Sequence, residues 1–464
     1  MRTTAARLLL TLGLIAFPIQ GFAESFLVEN GKPRAEIVIG NDSPRSTRLA
    51  AHELQTSLEK ISGAKLNIAS TPSENVPVQI YVGASLHAEK LGITAEGLKH
   101  GAYRIVSGED WLALIGDDTD FVPIEPWAKN NGDRRTLQAR WEKVSGLPYG
   151  VPNGGMYKHR ERMPKELAKE DGEYLWAFDE RGSYNAVCGF LRRLGMRWYL
   201  PGELGEVVPK TAIIPLPKID ETVKPDFEIR QFSVRFGTAD DEVMRWAMRL
   251  GIRQTYGLMI AHGMHTMTQP GKIKTQHPEW FALYGGKRDT QTGKRLNHLC
   301  YSNEELFDAT VKWARAQFDV YDYETVSIMP PDAYGSICQC DLCKGKQVDE
   351  MGSRGKLSNH VWDFANRVAR EVAKTHPDKL IACCAYGANT LPPTNIDKLE
   401  PNVQVVIVGG RRPRNSLPEQ REYVRKLRAG WLEKTDRPVI IFENYPFTGR
   451  GTYLPGFVAR TNGE

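Results

Sequence analysis

Residues 326–343, VSIMPPDAYGSICQCDLC, combine an apolar strand-like run, a carboxylate at Asp332 just beyond it and three closely spaced thiols. In enzymes whose parallel strands close into a (β/α)8 barrel, the catalytic groups lie just beyond the carboxyl ends of the strands. The position of Asp332 therefore predicts a catalytic loop, provided that the surrounding chain forms such strands. The three thiols, spaced C-x-C-x2-C, lie in the same loop.

Around this segment the sequence alternates between strand and helix patterns. Predicted strands cover residues 227–236, 254–260, 299–302, 325–329, 380–386, 403–408 and 438–442. Predicted helices cover residues 241–250, 304–321, 358–375 and 418–434. Such alternation is typical of a parallel sheet with right-handed crossovers. We therefore predict an α/β fold in which residues 226–464 form a (β/α)8 TIM-like barrel.

The predicted barrel has seven strands when the sequence reaches Glu464. A barrel that lacks one strand leaves two strand edges unpaired. We therefore expect the barrel to be truncated after its seventh strand and the natural gene product to continue beyond Glu464. The alternative is that one strand is assigned wrongly.

A smaller α+β domain is predicted for residues 24–209. Residues 46–61 carry apolar side chains at helical spacing, and Gly63 follows as a left-handed cap. Short β runs flank this helix. From about residue 122 to residue 176 the chain is polar and rich in Lys, Arg, Gly and Pro, without a sustained period. We interpret this stretch as a long insertion, a kind of segment that is usually functional or disordered.

Residues 1–23 have the pattern of a secretory signal peptide. Arg2 and Arg7 precede the apolar run 8–17, and residues 21–23 offer a small-x-small cleavage pattern. The apolar run is shorter than the roughly 20 residues that span a bilayer. We therefore predict an exported protein, secreted or periplasmic, that has no membrane contact after signal cleavage.

The charge pattern argues against a nucleic-acid partner. Sixty-one Lys and Arg side chains oppose 56 Asp and Glu side chains, for a formal net charge of +5, and the basic residues are spread along the chain. A nucleic-acid-binding protein would show a basic stripe with interleaved aromatic residues. The sequence does not determine the oligomeric state.

Several blocks of sequence resemble a known family. They are AAHELQTSLEKISGA at 50–64, GSYNAVCGFLRRLGMRWYLPGELGEVVP at 182–209, HPEWFALYGGKR at 277–288, LCYSNEELF at 299–307 and DAYGSICQCDLC at 332–343. These blocks resemble secreted bacterial proteins classified as domain-of-unknown-function family 4838. The N-terminal domain of that family looks like the non-catalytic α+β domain that precedes the barrel in α-glucuronidases and β-N-acetylhexosaminidases. The resemblance implies a glycoside-hydrolase-like architecture and leaves the reaction open.

Two carboxylates at predicted strand ends suit glycoside hydrolysis. Asp332 follows what we count as the fourth strand, where the related glycosidases carry the acid that protonates the leaving glycosidic oxygen. Glu443 ends the seventh strand and is the natural second carboxylate. The adjacent Asp-Glu pair of hexosaminidases is replaced here by Pro-Pro-Asp-Ala, which argues against substrate-assisted cleavage of N-acetyl sugars. The structural alternatives are a turn-capping aspartate after Pro331 and a polar residue that closes a strand.

Other residues near the predicted strand ends are candidates for substrate binding. They are His262, His265, Trp280, Tyr334, Tyr386, Arg411, Arg412 and Tyr445. Aromatic rings can stack on sugars, and paired arginines bind carboxylates through bidentate hydrogen bonds, which suits uronic acids. The competing interpretations are core packing for the aromatic residues, a metal-binding or supporting role for the histidines, and a solvated basic loop for the arginines.

The cysteines allow three interpretations. Three thiols of the Asp332 loop, Cys338, Cys340 and Cys343, together with Cys300 would complete a closed tetrahedral zinc site, which is structural because it leaves no position for water. Export to an oxidising compartment favours disulfides instead, for example between Cys300 and one of the three. Free thiols are the third interpretation.

These patterns predict a secreted glycoside-hydrolase-like protein that hydrolyses glycans by acid/base chemistry with a carboxylate pair. Polysaccharides that contain uronic acids are the substrates that the paired arginines favour. We expect no cofactor to be required for catalysis, and a structural zinc at the thiols is one of the interpretations. The alternatives are a non-catalytic carbohydrate-binding or scaffold protein and a metal-dependent hydrolase that uses the histidines and thiols.

Overall fold

The computed structural model describes residues 25–122, 131–148, 160–162, 174–231, 241–260, 262–269, 272–291, 297–409 and 417–443. Within these residues the fold is mixed α/β, with a main sheet and a large hydrophobic core in each half of the chain. No helix in the described part of the chain is long and apolar enough to cross a membrane.

The first half of the chain contains thirteen short strands and five helices among the described residues. The strands are β1 (Phe26–Glu29), β2 (Lys32–Pro33), β3 (Ala35–Val38), β4 (Ile68–Ala69), β5 (Val78–Val82), β6 (Tyr103–Ser107), β7 (Trp111–Gly116), β8 (Arg160–Arg162), β9 (Tyr174–Trp176), β10 (Arg197–Trp198), β11 (Glu206–Val207), β12 (Ile214–Pro215) and β13 (Asp220–Val223). The helices are α1 (Arg45–Ser62), α2 (Leu86–Lys90), α3 (Asn131–Ser145), α4 (Gly182–Arg193) and α5 (Asp241–Arg249).

Six of these strands form the N-terminal sheet, in the order β13-β6-β7-β5-β3-β4. Strands β4, β3, β5 and β7 are parallel to one another, β6 is antiparallel to β7, and the edge strand β13 is antiparallel to β6. Helix α1 covers the sheet with the fully buried Leu54 and Leu58, and Gly63 caps it in the left-handed conformation at φ 79°. The helix predicted from the apolar spacing is therefore confirmed.

The predicted insertion contains helix α3, which the sequence pattern does not predict. Helix α3 buries Leu137 and Trp141 against α8 of the second half of the chain. Nη2 of Arg140 donates a hydrogen bond to the carbonyl of Asp319, at 3.0 Å. The described residues 131–148 are thus packed structure and not a loop, because two large apolar side chains on one face are enough to dock a polar helix.

The second half of the chain contains the parallel sheet that carries the Asp332 loop. Its helices are α6 (Gly263–Thr268), α7 (Ile273–Gln276), α8 (Glu304–Tyr321), α9 (Ser358–Ala373) and α10 (Pro418–Lys434). Its strands are β14 (Leu283–Tyr284), β15 (Lys287–Arg288), β16 (Thr325–Ser327), β17 (Leu380–Ala385), β18 (Val403–Gly409) and β19 (Ile440–Glu443). Strands β16 to β19 pair in chain order, each parallel to the next. Among the described residues this sheet is open, and it does not close into a barrel.

The segment 299–302 is not a strand of the parallel sheet, so the predicted strand count is wrong at this point. Leu299 forms an antiparallel bridge with Phe281, and the N–H of Cys300 donates to the carbonyl of Trp280 at 2.8 Å. Leu258 pairs in parallel with Thr325 instead. The segment 254–260 therefore lies directly beside β16, without a strand at 299–302 between them, so that the placing of Asp332 after a fourth strand is not supported. Residues 232–236 of the first predicted strand lie outside the described part of the chain.

Candidate functional site

A cleft of about 1390 Å³ opens at the carboxyl ends of the parallel strands. Residues 329–335 after β16, residues 386–390 after β17 and the end of β18 line one side, and helix α10 lines the other. Ligands of α/β sheets bind at this position because the strand ends and the loops that leave them form a crevice. The cleft is larger than the roughly 300–1,000 Å³ of ordinary small-molecule pockets. Its size suits an extended ligand.

The carboxylate of Asp332 lies on this cleft and faces an imidazole. Its Oδ1 is 4.0 Å from Nε2 of His262, and the side chains are 49% and 32% exposed. Nδ1 of His262 is 2.6 Å from the carbonyl oxygen of Pro330. Because a carbonyl only accepts hydrogen bonds, Nδ1 carries a hydrogen, and Nε2 is the nitrogen that faces the carboxylate. A partly exposed carboxylate beside an oriented imidazole is a pair that can accept or deliver a proton.

His262 owes its position to the close approach of α6 and β16. The next residue, Gly263, begins α6, and a Cβ at this position would overlap the carbonyl group of Ser327 at the end of β16. Only glycine allows the helix to lie against the strand at this distance. The sequence Ala-His-Gly therefore sets His262 beside the loop that follows β16.

The loop that carries Asp332 is fixed on both sides of the carboxylate. Oδ1 of Asp332 accepts a hydrogen bond from the N–H of Ala333 at 2.9 Å, and Ala333 has the left-handed φ of 61°. Nε2 of His298 lies 3.3 Å from the carbonyl oxygen of Asp332. The ring of Tyr334 is 5% exposed and packs edge-on against Tyr301, with ring centroids 5.3 Å apart. These contacts give Asp332 a defined direction.

Of the predicted aromatic residues in the described part of the chain, Tyr334 and Tyr386 line the cleft. Tyr386 is 39% exposed and so presents a ring surface to a ligand, with its centroid 6.3 Å from that of His262. Burial raises the pKa of Tyr334 well above its ordinary value, so its hydroxyl stays protonated. Trp280 is 2% exposed and stacks on His277, which places it in the core and away from the cleft. His265 lies one turn after His262 on α6, and it is not among the described residues that line the cleft.

Four predicted site residues lie wholly or partly outside the described part of the chain. Glu443 ends β19, where its backbone pairs with that of Gly409 at the same edge of the sheet as the cleft. Its side chain lies outside the described part of the structure, and so do Arg411, Arg412 and Tyr445. The two-carboxylate site is therefore described only on the Asp332 side.

The described wall of the cleft is basic. Five of its charged side chains are basic: Arg354, Lys356, Arg421, Arg425 and Arg428. Two are acidic: Asp332 and Glu422. Glu422 pairs with Arg425 at 2.6 Å, so that this pair adds no net charge. The guanidinium of Arg354 lies 4.9 Å from the ring centroid of Tyr423. Sequence reasoning missed these residues, since no local pattern indicates which face of α10 turns to the strand ends.

The four cysteines Cys300, Cys338, Cys340 and Cys343 come together beside the Asp332 loop. Their sulfurs all lie within 4.8 Å of one another. The Sγ of Cys300 is 3.5 Å from that of Cys340 and 3.6 Å from that of Cys343. Hydrogen bonds from Cys300 and Cys343 lower the pKa of the Cys338 thiol. Cys383 and Cys384 are buried in β17 as predicted, away from the cluster.

Residues 200–455 match the model of a family described as a domain of unknown function, DUF4838. Among solved structures, the chain is similar to a family GH115 4-O-methyl-α-glucuronidase with specificity for decorated arabinogalactans. The two share 13% sequence identity at a TM-score of 0.41, and the match covers 90% of this chain and 55% of the glucuronidase chain. A Flavobacterium johnsoniae chitobiase shares 11% identity at a TM-score of 0.39, over 89% and 56%. A GH20 β-N-acetylhexosaminidase from Streptomyces coelicolor A3(2) shares 11% identity at 0.38, over 92% and 72%. The chain thus spans a little over half the length of the first two. Among curated proteins, no significant sequence match is found.

Proposed function

This chain belongs to the DUF4838 family, and because the family's description states no reaction, we propose from its own site that it hydrolyses glycans in the cleft beside Asp332. The observation that carries the proposal is the Asp332–His262 pair at the mouth of a large cleft on the carboxyl ends of parallel strands. This is the position at which barrel enzymes carry their catalytic groups.

The architecture proposed for the second half of the chain is a TIM-like barrel. Strands β16 to β19 are successive parallel strands, and the parallel bridge of Leu258 adds a neighbour on the β16 side. Five neighbouring parallel segments are more than half of an eight-stranded barrel. The order of the segments along the sheet follows their order along the chain, as barrel closure requires.

In the proposed reaction Asp332 is the acid that protonates the leaving glycosidic oxygen. Glu443, at the end of β19, is the second carboxylate, acting on the opposite face of the sugar as base or nucleophile. The exposed ring of Tyr386 offers a stacking surface for a sugar ring beside the acid. His262, oriented through Pro330, holds the direction of the Asp332 carboxylate. None of these roles requires a metal or an organic cofactor.

The charge of the cleft supports an anionic glycan as substrate. Arg354, Lys356, Arg421 and Arg428 are basic residues of the described cleft wall. Guanidinium groups bind carboxylates with two parallel hydrogen bonds, which favours uronic acids over neutral sugars. We assign the chain to polysaccharides that contain uronic acids, acted on outside the cytoplasm after removal of the signal-like residues 1–23.

One observation favours a second candidate function, a carbohydrate-binding protein without catalysis. Asp332 accepts a hydrogen bond from the backbone of Ala333, whose φ is positive. A turn-capping aspartate likewise directs its side chain at the local backbone, where it accepts from the N–H two residues on. In that case the cleft binds glycans and cleaves none.

A glycan panel separates the two candidates. Purified protein is incubated with polysaccharides that contain uronic acids and with the same polymers after reduction of their carboxyl groups, and both released sugars and binding are measured. The proposal expects reducing ends to appear with the native polymers, and much less product with the reduced ones. Binding without any new reducing end would establish the non-catalytic candidate and overturn the proposal.

A further inference from the structure

The four-thiol cluster has the geometry of ligands around a common ion. A tetrahedral zinc ion with Zn–S bonds of about 2.3 Å holds its sulfurs about 3.8 Å apart. The distances from Cys300 to Cys340 and Cys343 are 3.5 and 3.6 Å, and all four sulfurs lie within 4.8 Å of one another. Two disulfides would instead pair the sulfurs at about 2.05 Å. All four cysteines are free thiols, and the two distances from Cys300 are close to the sulfur spacing of a tetrahedral zinc site.

The local backbone is shaped to present the thiols inward. Residues Asp341–Cys343 form a single 3-10 turn, and the N–H of Cys343 donates to the carbonyl of Cys340 at 3.0 Å. This turn brings the two thiols of the C-x2-C pair to the same side, as zinc sites with this spacing require. Cys300 joins from another part of the chain, three residues before the cap residue Asn303 of α8. The Sγ of Cys338 and that of Cys343 are buried with it in one small cluster.

Groups around the cluster can offset the negative charge of bound thiolates. The N–H of Leu283 donates to Sγ of Cys338 at 3.2 Å. Oγ of Ser302 is 3.2 Å from Sγ of Cys343 and accepts a hydrogen bond from Nζ of Lys346 at 3.0 Å. Because Oγ of Ser302 accepts the hydrogen bond from Lys346, its own hydroxyl hydrogen can point toward Sγ of Cys343. Four thiolates around Zn²⁺ carry a net charge of about −2, and hydrogen bonds with a nearby ammonium are the usual compensation.

We propose that Cys300, Cys338, Cys340 and Cys343 bind one zinc ion that clamps the Asp332 loop. All four positions are filled by sulfur, so that no place is left for a water or a substrate, and the site is structural. This zinc site goes beyond the proposed hydrolysis, because it means that the folded protein needs a bound metal ion for its stability. The proposal stands or falls independently of what the cleft binds.

The clamp would join three segments of the chain. The hairpin β14–β15 is tied to the thiol loop by the N–H of Gln339, which donates to the carbonyl of Leu283 at 2.9 Å. The hydroxyl of Tyr284 donates to the carbonyl of Ser336 at 2.7 Å. Apolar contacts are few here, since the buried members of this cluster are Ala282 and three of the cysteines. An ion bound to all four sulfurs supplies the stabilisation that so small an apolar cluster cannot.

The test begins with the unmodified protein, purified without chelators. Elemental analysis is expected to give about one zinc per chain, and X-ray absorption at the zinc edge is expected to give four sulfurs at about 2.3 Å. After denaturation with a chelator, all seven cysteines should react with a thiol reagent. A chain without zinc, whether its thiols are free or paired as disulfides, would overturn the proposal, and so would zinc bound by nitrogen or oxygen.

Variants then locate the site. Cys340→Ser is expected to lower zinc affinity at least tenfold and to lower Tm, whereas Cys188→Ala, which removes a thiol buried in the N-terminal core, should keep a full complement of zinc. Equal zinc content in the two variants would contradict the assignment. If Cys340→Ser does not fold, Co²⁺ is added to the zinc-depleted unmodified chain. Thiolate-to-cobalt charge-transfer bands are then expected, and their absence would count against the site.

Discussion

Nε2 of His262 lies 4.0 Å from Oδ1 of Asp332, while the opposite ring nitrogen is held by the carbonyl of Pro330 at 2.6 Å. The imidazole cannot rotate without breaking the bond to Pro330, which lies two residues before Asp332 in the loop that follows β16. The relationship makes Asp332 a directed carboxylate and not merely an exposed one. Its contacts give the following expectations.

Replacing His262 should impair turnover more than binding. His262→Asn removes the group that faces the carboxylate, and a misdirected catalytic group can cost roughly 10²-fold in rate. We expect kcat to fall while KM stays within a few-fold. The matched control is His265→Asn, the same change one turn further along α6, which should leave both constants nearly unchanged. A rise in KM alone would assign His262 to substrate binding.

Gly263 should tolerate no side chain. Gly263→Ala forces a methyl group against the carbonyl of Ser327, and overpacking of this kind costs about 1–3 kcal/mol or more. Urea unfolding should show the loss. Gly430→Ala is the control, because Gly430 lies within α10 with only Pro392 as close as 3.3 Å. The control should be neutral or gain up to about 1 kcal/mol from helix propensity, and equal losses in the two variants would refute the close approach of α6 to β16.

Helix α3 should contribute to the stability of the second half of the chain. Trp141 is 1% exposed and lies 6.0 Å from the ring of Tyr321 on α8. Trp141→Ala should destabilise the protein by about 3–5 kcal/mol in chemical unfolding. Arg135→Ala, at an exposed position of the same helix, should change stability by less than about 0.5 kcal/mol. A Trp141 variant as stable as the Arg135 variant would mean that α3 is not docked.

Acid should destabilise the protein through His360. This residue of α9 is 7% exposed, and burial, with a smaller contribution from Lys346, lowers its pKa from 6.5 to about 4. The unfolded chain therefore binds the proton first as the pH falls. The contribution of the neutral His360 to the free energy of unfolding is complete above pH 6.5. Between pH 6.5 and about 4 the free energy of unfolding falls by about 3 kcal/mol.

The free energy of unfolding measured at pH 7 and pH 4.5 tests this expectation. His360→Phe should reduce the difference between the two values by roughly 2 kcal/mol or more. His52→Gln, a change on the partly exposed side of α1, should leave the difference unaltered. An unchanged difference in His360→Phe would show that this histidine is not the acid-sensitive group.

The sequence predicts elements whose signals are local. Helix α8 begins at Glu304 as predicted, where the side chain of Asn303 accepts a hydrogen bond from the N–H of Leu306 at 2.8 Å. Helix α10 begins at Pro418 as predicted, because proline favours the first helical position. The sequence also predicts Cys300 beside the other three thiols, although the strand on which that prediction depends, 299–302, is not part of the parallel sheet. Local signals thus predict these elements to within a residue.

The sequence fails where the outcome depends on distant partners. Leu299–Ser302 resembles a strand, yet its backbone bonds run to Phe281 and Trp280. Helix α3 is polar along most of its length and forms because Leu137 and Trp141 find the surface of α8. The basic wall of the cleft combines Arg354 with residues of α10 that lie more than sixty positions away. These contacts join segments that are far apart in the chain, so no sequence periodicity predicts them.

The central claim is that Asp332 is the acid of a glycan hydrolase, and the direct measurement compares Asp332→Asn with Asp308→Asn. The second variant makes the same chemical change at an exposed position of α8. On a polysaccharide that the unmodified protein cleaves, Asp332→Asn should lose at least roughly 10²-fold in kcat with glycan affinity retained, because proton transfer is removed and the shape is kept. Asp308→Asn should match the unmodified protein. Full activity in Asp332→Asn would contradict the account.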